Sequence, residues 1–408
     1  MTIRMDSLIQ VLAQALDMVE ITYLGVTTNH GKRIAVLCAA MGRKLGMSEP
    51  ELSDLISCAL LHDNALTECI LMQNGWERDD PNFGTHCEIG QRNVEILPFN
   101  GSIAGYINYH HERADGLGPF KLSEGNFPLG AELIAAADLI DAEHHLENIL
   151  PEKLPLLLEN IEANINYSYT KQAGKALLDI LDKDLLISLQ NEEIIKTVSR
   201  SIPAWTMEIN DPALIPFAEL ISHIIDYKSV STGIHTQQIA NRSWIMSEYY
   251  GYDLTEKIQL YLAAALHDIG KLAIPTEVLE KPGKLNHEEF EIIKTHIEIT
   301  RSLLSAMDWL GPITEWASNH HEKLNGSGYP LSKKLDKLDF NSRLMACIDI
   351  YQAVSETRPY HPRRSHAEAM QILKTMADNA LIDSGIVKDM DKVMAEWSGK
   401  DVETPKMN

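Results

Sequence analysis

The chain has 408 residues, of which 45% are hydrophobic and 23% are charged, a composition typical of globular proteins rather than of disordered or fibrous ones. It carries 36 Lys and Arg residues against 58 Asp and Glu residues, for a net charge of −22 at pH 7. Because so acidic a protein repels nucleic acid and anionic lipid surfaces, we expect neither nucleic acid nor a membrane among its partners.

Apolar residues recur at helical spacing from the amino terminus onwards. Leu8, Leu12 and Leu16 lie on one face of a first predicted helix, and residues 258–266 repeat the pattern later in the chain. Alternating runs of β-branched residues between turns are scarce. The sequence therefore predicts an all-α fold.

The cysteines and the apolar runs bear on the compartment. The five cysteines are widely spaced and contain no Cys-x-x-Cys pair, so the sequence suggests neither a disulfide framework nor a thiolate zinc site. The longest apolar runs, such as residues 261–266, are far shorter than the roughly 18 residues that a membrane span needs. We expect a cytoplasmic protein.

Short motifs of His and Asp occur twice along the chain, in the same order and at nearly constant spacing. The first copy contains Thr27-Thr-Asn-His30, Leu60-Leu-His62-Asp63, Thr85-His86, Tyr109-His110-His111-Glu112 and Ala137-Asp138, and the second contains Thr232-Gly-Ile-His235, Ala265-Leu-His267-Asp268, Thr295-His296, Asn319-His320-His321-Glu322 and Ile348-Asp349. Such a repeat predicts two domains. We place them at residues 1–200 and 201–408, since Pro203 and Pro212 interrupt the helical pattern near the join.

The second copy carries the ligand types of a metal centre. A single His in a helical protein is most often a surface or core residue, but here the repeat retains the His and Asp residues and little else. Imidazole and carboxylate suit iron, manganese, nickel or zinc, and seven such residues exceed the needs of one ion. Two metals together lower the pKa of a bound water to near neutral pH. The predicted ligands are His235, His267, Asp268, His296, His320, His321 and Asp349.

Longer motifs around these residues resemble a known family. They are His267-Asp268-Ile269-Gly270-Lys271, Lys281-Pro282-Gly283-Lys284-Leu285, His320-His321-Glu322-Lys323-Leu324-Asn325-Gly326-Ser327-Gly328-Tyr329-Pro330 and Arg358-Pro359-Tyr360. Together they are similar to the HD-GYP subgroup of the HD-superfamily metal phosphohydrolases. The resemblance covers roughly residues 216–380. It implies a helical domain that hydrolyses cyclic dinucleotides, chiefly cyclic di-GMP, with some members acting on 3′,3′-cGAMP.

The resemblance also implies roles for individual residues. It makes the seven His and Asp residues the metal ligands, with Asp268 bridging two ions, and it makes Lys271 a phosphate contact. It places Tyr329 in a loop beside the bound nucleotide and makes Arg358 a cation that binds substrate. His361 is close enough to Arg358 in the sequence to touch the substrate as well. These roles fit the chemistry, because an ammonium offsets phosphoryl charge, a phenol ring stacks on guanine, and a guanidinium binds phosphate through paired hydrogen bonds.

Departures from the family pattern bear on the metal count. Members that look trinuclear carry a Glu four residues before the first His and an Asp three residues after the last Asp, where this chain has Ser231 and Gln352. Because a hydroxyl and a neutral amide are poor substitutes for carboxylates, we predict two metals rather than three. Asn325 stands where the family usually has Asp, and it suits a turn equally well.

The first copy keeps the ligand types but loses the substrate residues. It retains His30, His62, Asp63, His86, His110, His111 and Asp138. However, Leu66 stands in place of Lys271, and Gly118-Pro119-Phe120 stands in place of Gly328-Tyr329-Pro330. We interpret residues 1–200 as a degenerate HD domain with a regulatory or structural role. Whether its His and Asp set binds metal stays open at this point.

The sequence thus predicts two tandem HD-superfamily domains and a phosphodiesterase in the second. The predicted reaction opens cyclic di-GMP or 3′,3′-cGAMP to a linear dinucleotide with a 5′ phosphate, with Asp268 and Lys271 as catalytic residues and two divalent ions (iron, manganese, nickel or zinc) as cofactors. The alternatives are a catalytically weak signalling module that binds cyclic dinucleotides and an HD phosphohydrolase of another nucleotide. Homo-oligomers and a signalling protein partner are left open.

Overall fold

The structure is a computed structural model that describes residues 2–24, 29–71, 83–190, 193–208, 212–226, 235–356, 364–397 and 402–405. It divides into two compact units. Arg4–Thr206 form what we call the N-terminal unit, and Met207–Asn408 together with Met1–Ile3 form the C-terminal unit. Within the described residues no helix is both long and apolar enough to cross a bilayer.

The N-terminal unit is built from helices, which confirms the predicted all-α class for this half of the chain. Its described helices are α1 (Met5–Leu24), α2 (His30–Lys44), α3 (Glu49–Leu60), α4 (Leu66–Leu71), α5 (Thr85–Val94), α6 (Leu129–His144), α7 (Leu154–Asn164), α8 (Lys171–Ile180), α9 (Lys183–Ser188) and α10 (Ile194–Ser201). Helix α2 packs against α3 and α6 in the core. Short strands β1 (Thr2–Arg4) and β2 (Thr206–Glu208), most of whose residues belong to the C-terminal unit, pair in a two-stranded sheet.

The C-terminal unit is helical as well. Its described helices are α11 (Leu214–Asp226), α12 (His235–Tyr249), α13 (Leu254–Leu266), α14 (Thr276–Leu279), α15 (His287–Ser305), α16 (Pro312–Ser318), α17 (Phe340–Ser355), α18 (His366–Asp378) and α19 (Ser384–Met394). Helix α13 is the central one, because it packs against α11, α12 and α16 and because every residue from Leu260 to Leu266 is fully buried.

Side-chain caps define where the ligand-bearing helices begin. Asp253 accepts a hydrogen bond from the backbone N–H of Glu256, and the Glu256 side chain accepts one from the N–H of Asp253, which closes a capping box at the start of α13. Asn286 forms the same box at the start of α15, and Asp339 caps α17. Since such caps satisfy N–H groups that the first turn leaves open, they fix the helix register and hence the direction of each ligand side chain.

Candidate metal centre and active site

The turn that carries His267 and Asp268 follows directly after α13. His267 donates from Nδ1 to the carbonyl oxygen of Ala264 at 2.6 Å, and Gly270 donates from its backbone N–H to Thr300 Oγ1 in α15 at 3.0 Å. A Cβ atom at Gly270 would lie 2.1 Å from the carbonyl oxygen of His296. Only glycine fits there, and this close approach fixes the His-Asp turn against α15.

Three histidines share one hydrogen-bonding arrangement. The Nδ1 atoms of His267, His296 and His320 each donate to the carbonyl of the residue three positions earlier, at 2.6, 2.5 and 2.7 Å. This bond leaves Nε2 as the atom with a free lone pair. All three Nε2 atoms face Asp268, at 3.0, 3.4 and 3.9 Å from its carboxylate oxygens. Metal-binding histidines are oriented in this way, because the bonded ring N–H fixes the tautomer and the ring plane.

Several of these polar atoms are buried without a partner. Among the described residues, His267 Nε2, His296 Nε2 and Asp268 Oδ1 make no hydrogen bond. The 3.0 Å approach of His267 Nε2 to Asp268 Oδ2 joins two acceptors, because the ring proton is on Nδ1. An unpaired buried nitrogen or carboxylate oxygen is costly. The cluster therefore fits a cation, which would satisfy all three atoms together.

The remaining predicted ligands close the cluster on its other side. His235, at the start of α12, lies 3.6 Å from an Asp349 oxygen and 3.9 Å from an Asp268 oxygen, both measured from Nε2. His321 Nδ1 lies 3.9 Å from Asp349. Two sets of three ligand atoms each fall within 4.8 Å of one another, namely His235, His267 and Asp268, and His296, His320 and His321. The structure thus brings all seven predicted residues together.

Burial and neighbouring charges set the protonation of the cluster. Burial lowers the pKa of His296 to about 3 and that of His321 to about 4, and the nearby Lys271 ammonium acts in the same direction. Burial alone would raise the pKa of Asp268, but His267 and Lys271 hold it well below its usual range. Neutral His296 and His321 beside an ionised Asp268 are in the protonation states that bind metal. His235 differs, because burial alone would lower its pKa but the Glu356 carboxylate outweighs that effect and raises the pKa of His235 to about 10.

A residue that the sequence reasoning missed orients one of the ligands. Glu356, at the end of α17, accepts a hydrogen bond of 2.7 Å from His235 Nδ1. It lies seven residues after Asp349, so both side chains emerge on one face of the helix. Gln352, between them, accepts from Arg242 Nε at 2.8 Å and donates to Glu356 at 3.2 Å. No sequence motif marks Glu356, so only the structure reveals its contact with His235.

Replacing Glu356 with Gln is expected to weaken metal binding. The carboxylate raises the basicity of His235 and fixes its ring, and loss of such a partner typically costs about 10- to 100-fold in metal affinity or activity. Competition against a chromogenic chelator measures the affinity, with the exposed Glu298 changed to Gln as the control. An unchanged affinity in E356Q would show that Glu356 does not support the centre.

The predicted substrate residues border the cluster where the structure describes them. The Lys271 ammonium contacts Asp268, and its side chain is 21% exposed. The Tyr329 ring lies against the His321 ring with a centroid distance of 4.9 Å. Arg358 and His361 lie outside the described residues.

Glu322 holds the loop that carries Tyr329. This buried carboxylate accepts hydrogen bonds from the backbone N–H groups of Leu331 at 2.7 Å and Lys333 at 2.9 Å. A Cβ at Gly328 would lie 2.5 Å from the Glu322 Cα, so the loop passes too close for any other residue. Asn325 Oδ1 accepts from the Ser327 N–H at 2.9 Å, which closes the turn. Glu322 is the glutamate of the repeated His-His-Glu motif, and this position was the sequence signal that could have identified it as the residue that holds the loop.

The N-terminal unit assembles the equivalent set. His62, His86 and His110 face Asp63 with their Nε2 atoms at 3.4 to 3.6 Å, while His30 and His111 contact Asp138 at 3.2 and 3.5 Å. A cavity of about 740 Å³ opens over His110, His111 and Asp138. Leu66, in place of Lys271, is buried. The first copy thus keeps the ligand geometry without the ammonium.

The chain is similar to known proteins in sequence and in fold. Residues 219–386 match the family model described as HD domain. The chain is 28% identical to the 3′3′-cGAMP-specific phosphodiesterase 1 of Vibrio cholerae serotype O1 over 92% of this chain and 88% of that protein. It is 33% identical to a cyclic di-GMP phosphodiesterase of Thermotoga maritima over 40% of this chain and 45% of the relative. The crystal structure of a cyclic GMP-AMP specific phosphodiesterase of Vibrio cholerae aligns over 97% of this chain and 98% of that chain with a TM-score of 0.66, at 22% identity, and shares the fold.

Proposed function

We propose that the C-terminal unit hydrolyses a cyclic dinucleotide, because residues 219–386 match the HD domain family model and the chain is similar to cyclic dinucleotide phosphodiesterases. The observation that carries the proposal is the buried cluster around Asp268, whose unpaired atoms call for cations. In the proposed reaction, water adds across one bond between phosphorus and a 3′ oxygen. The phosphate stays on the 5′ side of the linear product, and the 3′ oxygen takes up a proton.

We propose that the seven clustered residues hold two divalent ions. Bound there, the ions would supply positive charge to the phosphoryl oxygens and would lower the pKa of bound water, so that no protein nucleophile would be needed. The two ligand sets support a count of two ions. Gln352 supports it as well, because it stands where trinuclear members carry an Asp and its amide is hydrogen-bonded to Arg242 and Glu356. Neutral imidazole and carboxylate accept iron, manganese, nickel or zinc.

Residues at the edge of the cluster bind and position the substrate in this proposal. The partly exposed Lys271 ammonium sits on Asp268 and would offset the charge of an incoming phosphate. The Tyr329 ring, half-buried beside His321, offers a face for a purine base. Arg358 and His361 stay proposed contacts on the strength of their motif. Because the N-terminal unit has Leu66 at the position of Lys271, we place turnover in the C-terminal unit and a regulatory or structural role in the other.

We propose 3′,3′-cGAMP as the preferred ring. The relative named for 3′3′-cGAMP aligns along most of the chain, whereas the cyclic di-GMP relative aligns over 40% of it. The two rings present the same phosphates and differ at a purine edge, so the preference depends on contacts around the bases rather than on the metal cluster.

Chromatography of reaction mixtures tests both the activity and the ring. The metal-loaded full chain is incubated with each cyclic dinucleotide separately, and the products are identified by mass. We expect linear dinucleotides with a 5′ phosphate and faster loss of 3′,3′-cGAMP. Faster loss of cyclic di-GMP would overturn the ring preference. If both rings persist while the metal sites are full, the proposed activity is wrong and a binding module takes its place.

Replacing Glu322 with Gln is expected to raise the KM for the cyclic dinucleotide. An amide cannot accept from both N–H groups with the strength of a carboxylate, and one hydrogen bond to a charged group is worth about 1.5 to 3 kcal/mol. Loosening the Tyr329 loop should therefore raise KM by roughly tenfold, since 1.4 kcal/mol is a factor of ten, while the metal content stays the same. Steady-state kinetics and elemental analysis measure the two quantities.

The N-terminal unit offers a matched control for this variant. Glu112 accepts from the backbone N–H groups of Phe120 at 2.7 Å and Leu122 at 2.6 Å, which is the same loop contact in the first copy. The Glu112→Gln variant should lose similar stability but keep the KM of the wild type. Equal KM values in E322Q and the wild type would remove Tyr329 and its loop from the substrate site.

A further inference from the structure

The N-terminal cluster differs from the C-terminal one by a sulfur atom. Cys87 follows His86 in α5 and is fully buried. Its Sγ lies 3.4 Å from His86 Nε2 and, together with ligand atoms of His110 and His111, falls in a group whose members are all within 4.8 Å of one another. The equivalent position in the C-terminal unit, after His296, is the buried Ile297. The spacing of the cysteines gave no sign of this site, because the other ligands are histidines from two separate segments.

The histidines around Cys87 are oriented like those of the C-terminal cluster. His62 and His110 donate from Nδ1 to the carbonyl oxygens of Ala59 at 2.9 Å and Ile107 at 2.6 Å. Within the part of the chain that the structure describes, the buried atoms His62 Nε2, His110 Nε2 and Asp63 Oδ1 have no hydrogen-bond partner. Unpaired buried atoms that lie this close together fit a cation here as well.

The N-terminal unit also supports its first histidine with a carboxylate. His30 Nδ1 contacts Asp141 at 2.6 Å, and Asp141 in turn accepts from the Arg33 guanidinium at 2.7 and 2.9 Å. Asp141 lies three residues after Asp138, on the same face of α6. Asp141 thus contacts His30 as Glu356 contacts His235. The N-terminal cluster therefore keeps the carboxylate contact that orients a histidine for metal binding.

We propose that the N-terminal unit holds its own metal centre, in which Cys87, His86, His110 and His111 bind one zinc-type ion through three nitrogens and one sulfur. A second group, His30, His62 and Asp138, would hold a second ion. The proposal goes beyond the phosphodiesterase activity and does not depend on it.

The distances fit a tetrahedral ion with a thiolate ligand. Zinc lies about 2.3 Å from sulfur and about 2.0 to 2.1 Å from nitrogen, so a sulfur and a nitrogen on one tetrahedral ion are about 3.6 Å apart. The observed separation of Cys87 Sγ and His86 Nε2 is 3.4 Å. A thiolate favours zinc over manganese or magnesium, which prefer oxygen ligands. Four protein ligands without an open position are typical of structural zinc sites, which agrees with the non-catalytic role proposed for this unit.

Cobalt substitution tests the sulfur ligand directly. The full chain is stripped of metal with a chelator and reloaded with Co²⁺, and the near-ultraviolet charge-transfer band of a cobalt–sulfur bond is recorded. In the described C-terminal cluster the ligands are only His and Asp, so the band reports on the N-terminal unit. We expect the band in the wild type and in His267→Ala, and we expect its loss in Cys87→Ala. Cys38→Ala, which removes another fully buried thiol, should keep it.

X-ray absorption at the zinc edge of the wild type gives a second measurement that needs no variant. The proposal predicts a sulfur scatterer at about 2.3 Å from zinc, and elemental analysis should find one ion fewer per chain in Cys87→Ala than in Cys38→Ala. Far-ultraviolet circular dichroism checks that both variants are folded. A fully loaded wild type with only nitrogen and oxygen scatterers, or a cobalt–sulfur band that persists in folded Cys87→Ala, would overturn the proposal. Either result leaves the proposed phosphodiesterase untouched.

Discussion

Replacing Asp268 with Ala is expected to lower the turnover of cyclic dinucleotide at least about 10³-fold. Asp268 is the carboxylate that faces the Nε2 atoms of His267, His296 and His320 and also lies near His235. Its loss removes the anionic centre of the cluster, and the charge that metal ions supply to a phosphoryl transition state is worth several kcal/mol, at 1.36 kcal/mol for each factor of ten in rate. Single-turnover kinetics with either ring measures the loss.

The equivalent change in the other unit decides where turnover occurs. Asp63→Ala removes the matching carboxylate from the N-terminal cluster, and we expect it to cost less than about tenfold in turnover, or 1.36 kcal/mol. Asp336→Ala, at an exposed position, controls for the loss of an aspartate as such. Turnover that falls with D63A and survives D268A would move the active site into the N-terminal unit.

Replacing Gly270 with Ala is expected to destabilise the C-terminal unit by at least about 3 kcal/mol. Overpacking typically costs about 1 to 3 kcal/mol, and here the added Cβ would meet the carbonyl oxygen of His296 at 2.1 Å and the backbone N of Thr300 at 2.9 Å. These are backbone atoms, which cannot rotate away as a flexible side chain can. The His-Asp turn would have to move from α15, so metal content should fall together with the free energy of unfolding.

Gly385 in α19 provides the matched control. A Cβ there would meet only a side-chain oxygen of Asp383 at 3.2 Å, and alanine favours a helix over glycine by about 1 kcal/mol. Denaturant unfolding of the metal-loaded chain should therefore show little change for Gly385→Ala and a large loss for Gly270→Ala. Equal stability of the two variants would mean that the close approach of Gly270 to α15 does not constrain the turn.

Helical periodicity and ligand chemistry made much of this molecule predictable. The repeating apolar positions led to the all-α class, because a buried helix must present one continuous apolar face. The His and Asp residues could be recognised because few residue types bind metals and because the chain contains the set twice. The segment before the two adjacent histidines was not predictable in the same way, since it is α16 in the C-terminal unit but a series of turns at residues 104–111 in the N-terminal unit.

The supporting residues could not be read from motifs. Glu356 contacts His235 from a position seven residues after Asp349, whereas Asp141 contacts His30 from a position three residues after Asp138. Both spacings return to the same face of a helix, so neither position could be chosen from the sequence. Cys87 joins His110 and His111 only through the fold. Arg358 and His361 lie outside the described residues, and their role in substrate binding stays a prediction.

Metal reconstitution of the full chain tests whether metal bound at the Asp268 cluster is required for hydrolysis. The metal-stripped wild type and Asp268→Ala are titrated with Mn²⁺ in the presence of 3′,3′-cGAMP, and the linear product is measured by chromatography after each addition. We expect no product without metal, a return of activity in the wild type as the C-terminal cluster fills, and no return in Asp268→Ala. Full activity in the metal-free wild type, or equal recovery in both proteins, would show that the cluster around Asp268 does not carry out the hydrolysis.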